Sequence, residues 1–203
     1  TAEALDGDDE FIELQNAGGA PVGLAGLRFT QGVTFDFASS SIQTLAPGEF
    51  LLVVKSVEAF TNRYPSVSAS RIAGVFAYPA QSLDDAGEKV ELEDALGRSV
   101  ASFTYNNSWF ISTDGAGHSL VALPGVAQAD GELDYRGNWR ASAYIGGSPG
   151  AADPTQPAAT LVLNEILAHT DYDDPIYDSN DGIELYNVTD QAVGLGAGWY
   201  LSD

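Results

Sequence analysis

The chain repeats its own beginning near its end. The motif Phe-Ile-Glu-Leu-Gln-Asn at 11–16 returns as Gly-Ile-Glu-Leu-Tyr-Asn at 182–187, and residues 12–24 align with 183–195 without a gap. The offset is 171 residues, the difference between 183 and 12, which is far longer than one unit of a solenoid. We therefore expect whole domains in tandem: a first domain at 1–150 and the N-terminal part of a second domain at 161–203.

Between these two parts lies a segment with the composition of a linker. Residues 151–160 read Ala-Ala-Asp-Pro-Thr-Gln-Pro-Ala-Ala-Thr, with two prolines and no apolar period. Proline-containing segments of this kind are stiff and extended. The pattern predicts a spacer that holds the two domains apart.

The charge of the chain limits its partners. Eight Lys and Arg residues stand against 29 Asp and Glu, which gives a formal net charge of -21 at pH 7. Such a field repels phosphate backbones and anionic headgroups, so nucleic-acid binding and membrane-surface binding are disfavoured, whereas cations are attracted. No apolar run approaches the roughly 20 residues that a membrane span needs, and we expect no membrane insertion.

The chain has no cysteine and no methionine. Without cysteine, disulfide bonds, thiolate metal sites and cysteine nucleophiles are excluded. Without either residue, little remains that oxidation can damage. This composition favours an extracellular or cell-surface location.

The apolar segments are short, rich in β-branched and aromatic residues, and separated by turn residues. Such segments predict strands at 10–15, 27–30, 33–37, 49–55, 72–76, 89–93, 99–105, 118–123 and 161–167. One helix is predicted at 57–64, where Ser56 can cap the first turn and Pro65 ends it. Many short strands, glycine-rich turns and one short helix predict an all-β sandwich of the immunoglobulin-like type.

The order of motifs resembles the lamin tail domain, an immunoglobulin-like β-sandwich of nuclear lamins and of many secreted bacterial proteins. The second copy carries Asn-Glu-Ile at 164–166, Ile-Glu-Leu-Tyr-Asn at 183–187 and Gly-Trp at 198–199. The first copy carries 10–16 and 22–24, and Leu-Ala-Pro-Gly at 45–48, Trp-Arg-Ala-Ser at 139–142 and Gly-Ser-Pro-Gly at 147–150 follow. The resemblance implies a non-catalytic domain. It also implies that the first strand of the first copy is cut short at Thr1.

Several features were weighed as signs of catalysis. Residues 146–150 fit the pattern Gly-x-Ser-x-Gly, but Pro149 follows the serine and cannot donate the oxyanion-hole N–H that the nucleophile elbow needs. Two histidines, His118 and His169, fall in different domains and have no evident catalytic partners. We interpret the chain as non-enzymatic.

The acidic loops before the two Ile-Glu-Leu strands are the best candidates for ligand binding. Calcium takes six to eight oxygen ligands in flexible geometry, and these loops are rich in carboxylates. Neither loop has the EF-hand spacing, and a solvated acidic turn is the alternative. The predicted Ca²⁺ ligands of the second loop are Asp171, Asp173, Asp174, Asp178, Asp181 and Glu184.

Aromatic residues suggest a second kind of ligand. Tyr105, Trp109, Phe110, Tyr135 and Tyr144 are candidates for a platform that binds a glycan or a protein partner, because rings bury a large area at low entropic cost. Such residues are more often part of a core. Trp139 is predicted to be core.

The start of the second domain also predicts an interface. Its few strands would bury too little surface to offset their backbone entropy, so something must cover them. We expect its first strand to pair with an exposed sheet edge of the first domain or of a neighbouring chain, and the second case gives a strand-swapped dimer or a filament. The residues of this predicted interface are Leu161, Val162, Leu163, Asn164, Glu165, Ile166 and Leu167.

These observations predict a structural, adhesion or assembly module of a larger bacterial protein with tandem domains, located outside the cell. Two alternatives stay open at this point. The first is a calcium-dependent carbohydrate-binding module, and the second is the non-catalytic arm of a secreted hydrolase or kinase-like enzyme.

Overall fold

A computed structural model describes residues 7–76, 82–155, 159–168 and 181–196. The chain divides into two compact units, residues 1–155 and 156–203. In the first unit the strands are β1 (Phe11–Gln15), β2 (Val22–Gly23), β3 (Arg28–Gln31), β4 (Phe35–Asp36), β5 (Thr44–Leu45), β6 (Phe50–Val54), β7 (Ile72–Val75), β8 (Lys89–Glu93), β9 (Ser99–Thr104), β10 (His118–Ala122) and β11 (Trp139–Ile145). In the second unit they are β12 (Leu161–Leu167) and β13 (Gly182–Asn187).

Two sheets of the first unit face each other. One has the order β1-β6-β7, with β6 and β7 parallel, and the other has the antiparallel order β4-β3-β8-β9. Alternate residues of each sheet, such as Val53 and Leu92, meet in one apolar core. This arrangement confirms the predicted all-β sandwich, which also includes the short pairs β2-β5 and β10-β11.

The helix α1 (Val57–Arg63) gives the first sheet a second covered face. Its N-terminus is capped as the sequence predicts, because the Ala59 amide donates to the Ser56 hydroxyl at 3.2 Å. Phe60 of the helix packs on Leu52 and Val54, which point away from the main core. The β1-β6-β7 sheet is therefore buried on both sides.

A hairpin at 94–97 joins β8 to β9. Asp94 accepts from the Leu96 and Arg98 amides, and Gly97 takes a φ of 75°, which a side chain would disfavour. The predicted strand at 33–37 is shorter than expected. Only Phe35–Asp36 pairs, because the Asp36 carboxylate accepts from the Ala38 amide and starts a 3-10 turn.

No helix in the described part of the chain is long and apolar enough to cross a membrane.

Candidate functional site: the outer edge of the first strand

The strand β1 uses only one of its two edges for pairing within the described residues. The Asn16 amide donates to the Glu49 carbonyl at 3.0 Å, and the Lys55 amide donates to the Glu10 carbonyl at 2.9 Å. Because successive residues of a strand point their backbone groups to opposite edges, the even-numbered residues of β1 face β6. The backbone groups of Phe11, Glu13 and Gln15 face the other edge, where β1 is the outermost strand of its sheet among the described residues.

The two faces of β1 are both in use. Ile12 and Leu14 pack against the main core, as their alternation predicts. Glu13 points to the helix-covered face, opposite Leu52 in the register of the sheet. Burial there raises the pKa of Glu13 to about 7, although a hydrogen bond from the Gly150 amide to its carboxylate acts in the opposite direction. Glu13 thus binds the backbone of the loop that contains Gly150.

The loop that Glu13 binds is held in place by Asp153. The Asp153 carboxylate accepts from the Arg140 guanidinium at 2.6 Å and from the Ser148 hydroxyl at 3.0 Å, and also from the Ala143 amide. Burial opposes ionisation of this group, but these donors prevail and hold the pKa of Asp153 below its usual range. Asp153, which the sequence assigns to the linker, is therefore bonded to the first unit.

Ser148 has a structural role in this loop. Its hydroxyl donates to Asp153, and the residues after it form a turn in which the Ala151 amide donates to the Ser148 carbonyl at 3.1 Å. A nucleophile elbow places its serine before a helix, so this geometry differs from the elbow pattern.

Directly after β1, Asn16 builds the turn that leads away from the strand. The Gly18 amide donates to its side-chain oxygen, and its side-chain amide donates to the Ala20 and Leu45 carbonyls, each at 2.9 Å. Asn16 is only 4% exposed, so these bonds satisfy a polar group inside the protein.

The second unit forms the same turn after β13. The Thr189 amide donates to the Asn187 side-chain oxygen at 3.0 Å, and the Asn187 side-chain amide donates to the Gln191 carbonyl at 2.6 Å. At the offset of 171 residues, these partners correspond to Gly18, Asn16 and Ala20. The repeated sequence therefore has a repeated local structure.

β13 pairs with β12 through the edge that corresponds to the outer edge of β1, the edge that does not face β6. The Val188 amide donates to the Thr160 carbonyl at 3.1 Å, next to the ladder in which β13 and β12 run antiparallel. Val188 corresponds to Ala17, an odd-numbered position of the first copy. In the first copy the even positions bind β6, so β12 lies on the opposite edge of the repeated strand.

The β12-β13 hairpin carries apolar side chains on the face that corresponds to the core face of β1. Leu163 lies opposite Leu185, and Ile166 lies opposite Ile183. Leu163, Ile166 and Ile183 are 52%, 60% and 51% exposed, respectively. A bulge in β12 at Asn164 interrupts the register, and the Asn164 side-chain amide donates to the Glu184 carboxylate. Glu184 is the counterpart of Glu13.

The acidic loop before β1 is neutralised by the protein itself. The Lys55 ammonium lies 2.8 Å from a Glu10 oxygen, 2.8 Å from the Gly7 carbonyl and 3.3 Å from Asp8. Burial alone would lower the pKa of Lys55, but hydrogen bonds and charges from Glu10 and Asp8 raise it. Lys55 thus occupies the position in which we considered a calcium ion for the first copy.

The predicted calcium ligands of the second loop are only partly described. Asp171, Asp173, Asp174 and Asp178 lie outside the described residues. Asp181 and Glu184 are described: Asp181 directly precedes β13, and Glu184 is the third residue of that strand. Within the described ranges, no three His, Cys, Asp or Glu side chains lie close enough together to hold a metal ion. The calcium site stays a prediction.

The aromatic candidates divide into two groups. Trp139 is buried as predicted, its ring centroid lies 4.8 Å from that of Phe103 with the planes tilted by 50°, and its indole N–H donates to the Leu133 carbonyl at 2.7 Å. Trp109 joins this cluster 6.1 Å from Trp139. Tyr144, in contrast, is 59% exposed. These positions suit a core role for the tryptophans and leave Tyr144 accessible to a partner.

The sequence comparison decides the family. A profile of the lamin tail domain matches residues 2–107, slightly more than half of the chain. The chain belongs to the lamin tail domain family. A search of curated proteins found no match. Lamin tail domains are immunoglobulin-like domains with structural and interaction roles, and this lamin tail domain has that sandwich in its first unit.

Sequence reasoning missed two parts of this site. It did not identify Asp153 as a residue of the lamin tail domain, because a lone aspartate between small residues and prolines is typical of a linker. It also did not predict β11, whose small residues give no clear alternation. The repeated motif ends at Asn16 in the first copy and at Asn187 in the second, the two residues that build the turns.

Proposed function

We propose that this protein is a non-catalytic structural module of the bacterial cell surface, and that it belongs to a tandem of lamin tail domains in a larger protein. Its task is to space or join other parts of that protein and to bind neighbouring copies. Neither a cofactor nor a reaction is needed for this function. The same reading allows the tandem to serve as the non-catalytic arm of a secreted enzyme.

The observation that carries this proposal is the repetition of β1 and its turn in the second unit. The Asn16 turn and the Asn187 turn have the same side-chain hydrogen bonds at a spacing of 171 residues. Duplicated strand-and-turn units in two compact bodies are what a chain of similar modules would have. The net charge of -21 supports a role in which the modules stay soluble and apart from nucleic acids.

Surface location can be tested on intact cells that make the natural protein. We expect an added protease to remove the protein from intact cells, with a cytoplasmic marker protein as the control. Protection in intact cells together with cleavage after lysis would contradict the surface role. This experiment does not depend on whether the modules bind each other.

Glycan binding is the second candidate, and one feature favours it. A groove of about 320 Å³ lies between the end of α1 and the closing loop, and its walls include Tyr64, Val67, Tyr144, Pro149 and Pro154. The ring of Tyr144, which is 59% exposed, can stack on a sugar ring. Retention on a glycan array that is lost in Tyr144→Ala, but kept in Tyr135→Ala, would support this function. Equal retention of both variants would contradict it.

A further inference from the structure

Arg136 has surroundings unlike those of the other basic residues. Of the eight Lys and Arg side chains, seven form an ion pair with an Asp or Glu, and within the described residues Arg136 alone does not. Its guanidinium lies over the ring of Phe110, 4.9 Å from the ring centroid. This exposed guanidinium in a very acidic chain therefore keeps its capacity to bind a carboxylate from outside.

The two carboxylates that precede Arg136 in its own loop bind other donors. The Asp134 carboxylate accepts from the Thr104 amide at 2.6 Å. The Glu132 carboxylate accepts from the Asn138 side-chain amide at 3.3 Å. A guanidinium has five N–H donors in a fixed planar arrangement that matches a carboxylate. Among the described residues, no acceptor binds the donors of Arg136.

Arg136 stands on a loop whose two ends are fixed. Leu133 is 1% exposed and Trp139 is buried, and the Trp139 indole N–H donates to the Leu133 carbonyl at 2.7 Å. Between them, the Asn138 amide donates to the Tyr135 carbonyl at 2.9 Å and closes a tight turn. A ligand that binds here does not have to order the backbone, which lowers the entropic cost of binding.

Exposed apolar side chains lie beside the contact between Arg136 and Phe110. Ile111, which directly follows Phe110, is 88% exposed, and Tyr135, which directly precedes Arg136, is 69% exposed. The ring of Tyr135 lies against the backbone of Gly137, since a Cβ there would come within 2.4 Å of a ring carbon. We call this surface the Arg136 patch, and it consists of Phe110, Ile111, Tyr135 and Arg136.

We infer that the Arg136 patch binds an acidic peptide segment in which an Asp or Glu lies beside an aliphatic or aromatic side chain. The carboxylate accepts from the Arg136 guanidinium, and the apolar side chain covers Ile111. Burial of so exposed an isoleucine is favourable. Arg and Tyr are also enriched among the residues that dominate protein interfaces. This inference goes beyond the proposed function, because it concerns a ligand of the first unit and holds wherever the protein is located.

An acidic sugar also has a carboxylate, but it suits this patch less well. Contact of its hydroxyl groups with Ile111 would remove them from water without replacing their hydrogen bonds. A leucine or phenylalanine side chain of a peptide has no such groups. The negative charge of the whole chain opposes either ligand, but at physiological ionic strength charges more than about 8 Å away are largely screened. The patch therefore favours a peptide.

A chemical-shift titration of the full chain with a short peptide tests this inference. The probe is acetylated and amidated Gly-Asp-Glu-Phe-Leu-Gly, and the control probe has Asn and Gln in place of Asp and Glu. At physiological ionic strength we expect the acidic probe to bind with a Kd on the order of 1 mM or below, and the control probe to bind at least about tenfold more weakly. The amides of Ile111 and Arg136 should shift, and those of the 94–97 hairpin should not.

Two exposed residues of the 94–98 segment provide matched controls for variants of the patch. Arg136→Gln should weaken binding of the acidic probe at least about tenfold, whereas Arg98→Gln, which changes the net charge equally at a side chain that is 75% exposed, should not. Ile111→Ser should weaken binding by about threefold, whereas Leu96→Ser, at a side chain that is 78% exposed, should not. Arg136→Lys should keep only part of the affinity, because an ammonium lacks the paired donors of a guanidinium.

Three results would overturn the proposal. The first is the absence of shifts at Ile111 and Arg136 with about 5 mM acidic probe, a result that depends on no variant. The second is equal weakening by Arg136→Gln and Arg98→Gln, which would assign the binding to net charge alone. The third is tighter binding of a galacturonic acid trimer than of the acidic probe, which would assign the patch to acidic glycans.

Discussion

The strands β1 and β13 share a sequence motif and a turn but differ in what covers them. Ile12 and Leu14 of β1 pack on a core built by two sheets, whereas the equivalent Ile183 is half exposed beside β12. The backbone of β1 bonds to β6, and that of β13 bonds to a strand on its other edge. The motif therefore specifies the local structure, and the surroundings determine how much stability each copy provides.

The largest expected difference between the copies is the cost of removing their apolar side chains. Ile12→Ala should lower the free energy of unfolding of the first unit by about 2 kcal/mol, because it leaves a cavity against the main core. Ile183→Ala should lower the stability of the hairpin by less than about 1 kcal/mol, because half of this side chain is already in water. Urea unfolding, followed by the fluorescence of the buried Trp139, measures the effect of Ile12→Ala. Amide exchange in β13 measures the effect of Ile183→Ala.

Equal costs at Ile12 and Ile183 would show that β13 has a packed core in solution. The two strands would then be equally buried, and the copies would differ only in their position in the chain. Leu96→Ala, at an exposed side chain in the 94–97 hairpin, is a control that should change stability little.

Glu13 should make the stability of the first unit depend on pH. Its pKa of about 7 in the folded state lies above the ordinary value of 4.5, so the folded first unit holds this proton more tightly than the unfolded chain does. Stability from this group is fully present below about pH 4.5 and is lost as the pH rises through 7. We expect the first unit to lose on the order of 2 kcal/mol over this interval.

Thermal melts of the unmodified chain and of Glu13→Gln between pH 5 and pH 8 measure this effect. The amide of glutamine cannot ionise, so the variant should lose less stability than the unmodified chain over that range. Glu184→Gln is the matched control in the second copy and should leave the profile of the first unit unchanged. A profile with the same slope in Glu13→Gln would assign the pH dependence to other groups.

The elements of the fold that could be predicted from the sequence are those determined by adjacent residues. The strand Leu161–Leu167 and the capped start of α1 were predicted correctly, because their signals lie in adjacent residues. Those signals are apolar runs bounded by turn residues and a serine before the first turn.

The parts that were missed depend on residues far apart in the chain. β11 forms by pairing with β10, and its sequence Trp-Arg-Ala-Ser-Ala-Tyr-Ile carries only a weak strand signal. The burial of Glu13 results from the helix and from Gly150, which is 137 positions away. The role of Asp153 depends on Arg140 and Ala143. Neither propensity nor periodicity reports such contacts.

The two asparagine turns provide a smaller test of the comparison. Asn16→Ala should destabilise the first unit by about 1–2 kcal/mol, because it leaves the buried Leu45 carbonyl without its donor. Asn187→Ala should cost about 0.5 kcal/mol, since water can replace its exposed hydrogen bonds. Denaturant midpoints for Asn16 and amide exchange for Asn187 give the two values. A cost at Asn187 as large as that at Asn16 would mean that the second turn is also buried in solution.

The smallest expected effect concerns the cations that balance the two acidic loops. In the first loop the cation is Lys55, which is 13% exposed and pairs with Asp8 and Glu10. Residues 161–203 carry nine acidic residues and no Lys or Arg, so this segment has no lysine that could take the role of Lys55. Added Ca²⁺ at about 1 mM should therefore stabilise the second unit by roughly 0.4 kcal/mol, as expected for a site with a Kd near that concentration.

Chemical shifts distinguish this effect from screening by salt. The amides of Asp181 and Glu184 should move on addition of Ca²⁺ but not of the same ionic strength of Na⁺, and those of Asp8 and Glu10 should not move. Lys55→Gln should make the first loop respond as well, because it removes the ammonium that fills the oxygen cluster around Gly7, Asp8 and Glu10. If Asp181 and Glu184 respond to Na⁺ and Ca²⁺ alike, the second loop is a solvated acidic turn, and the two copies differ in packing alone.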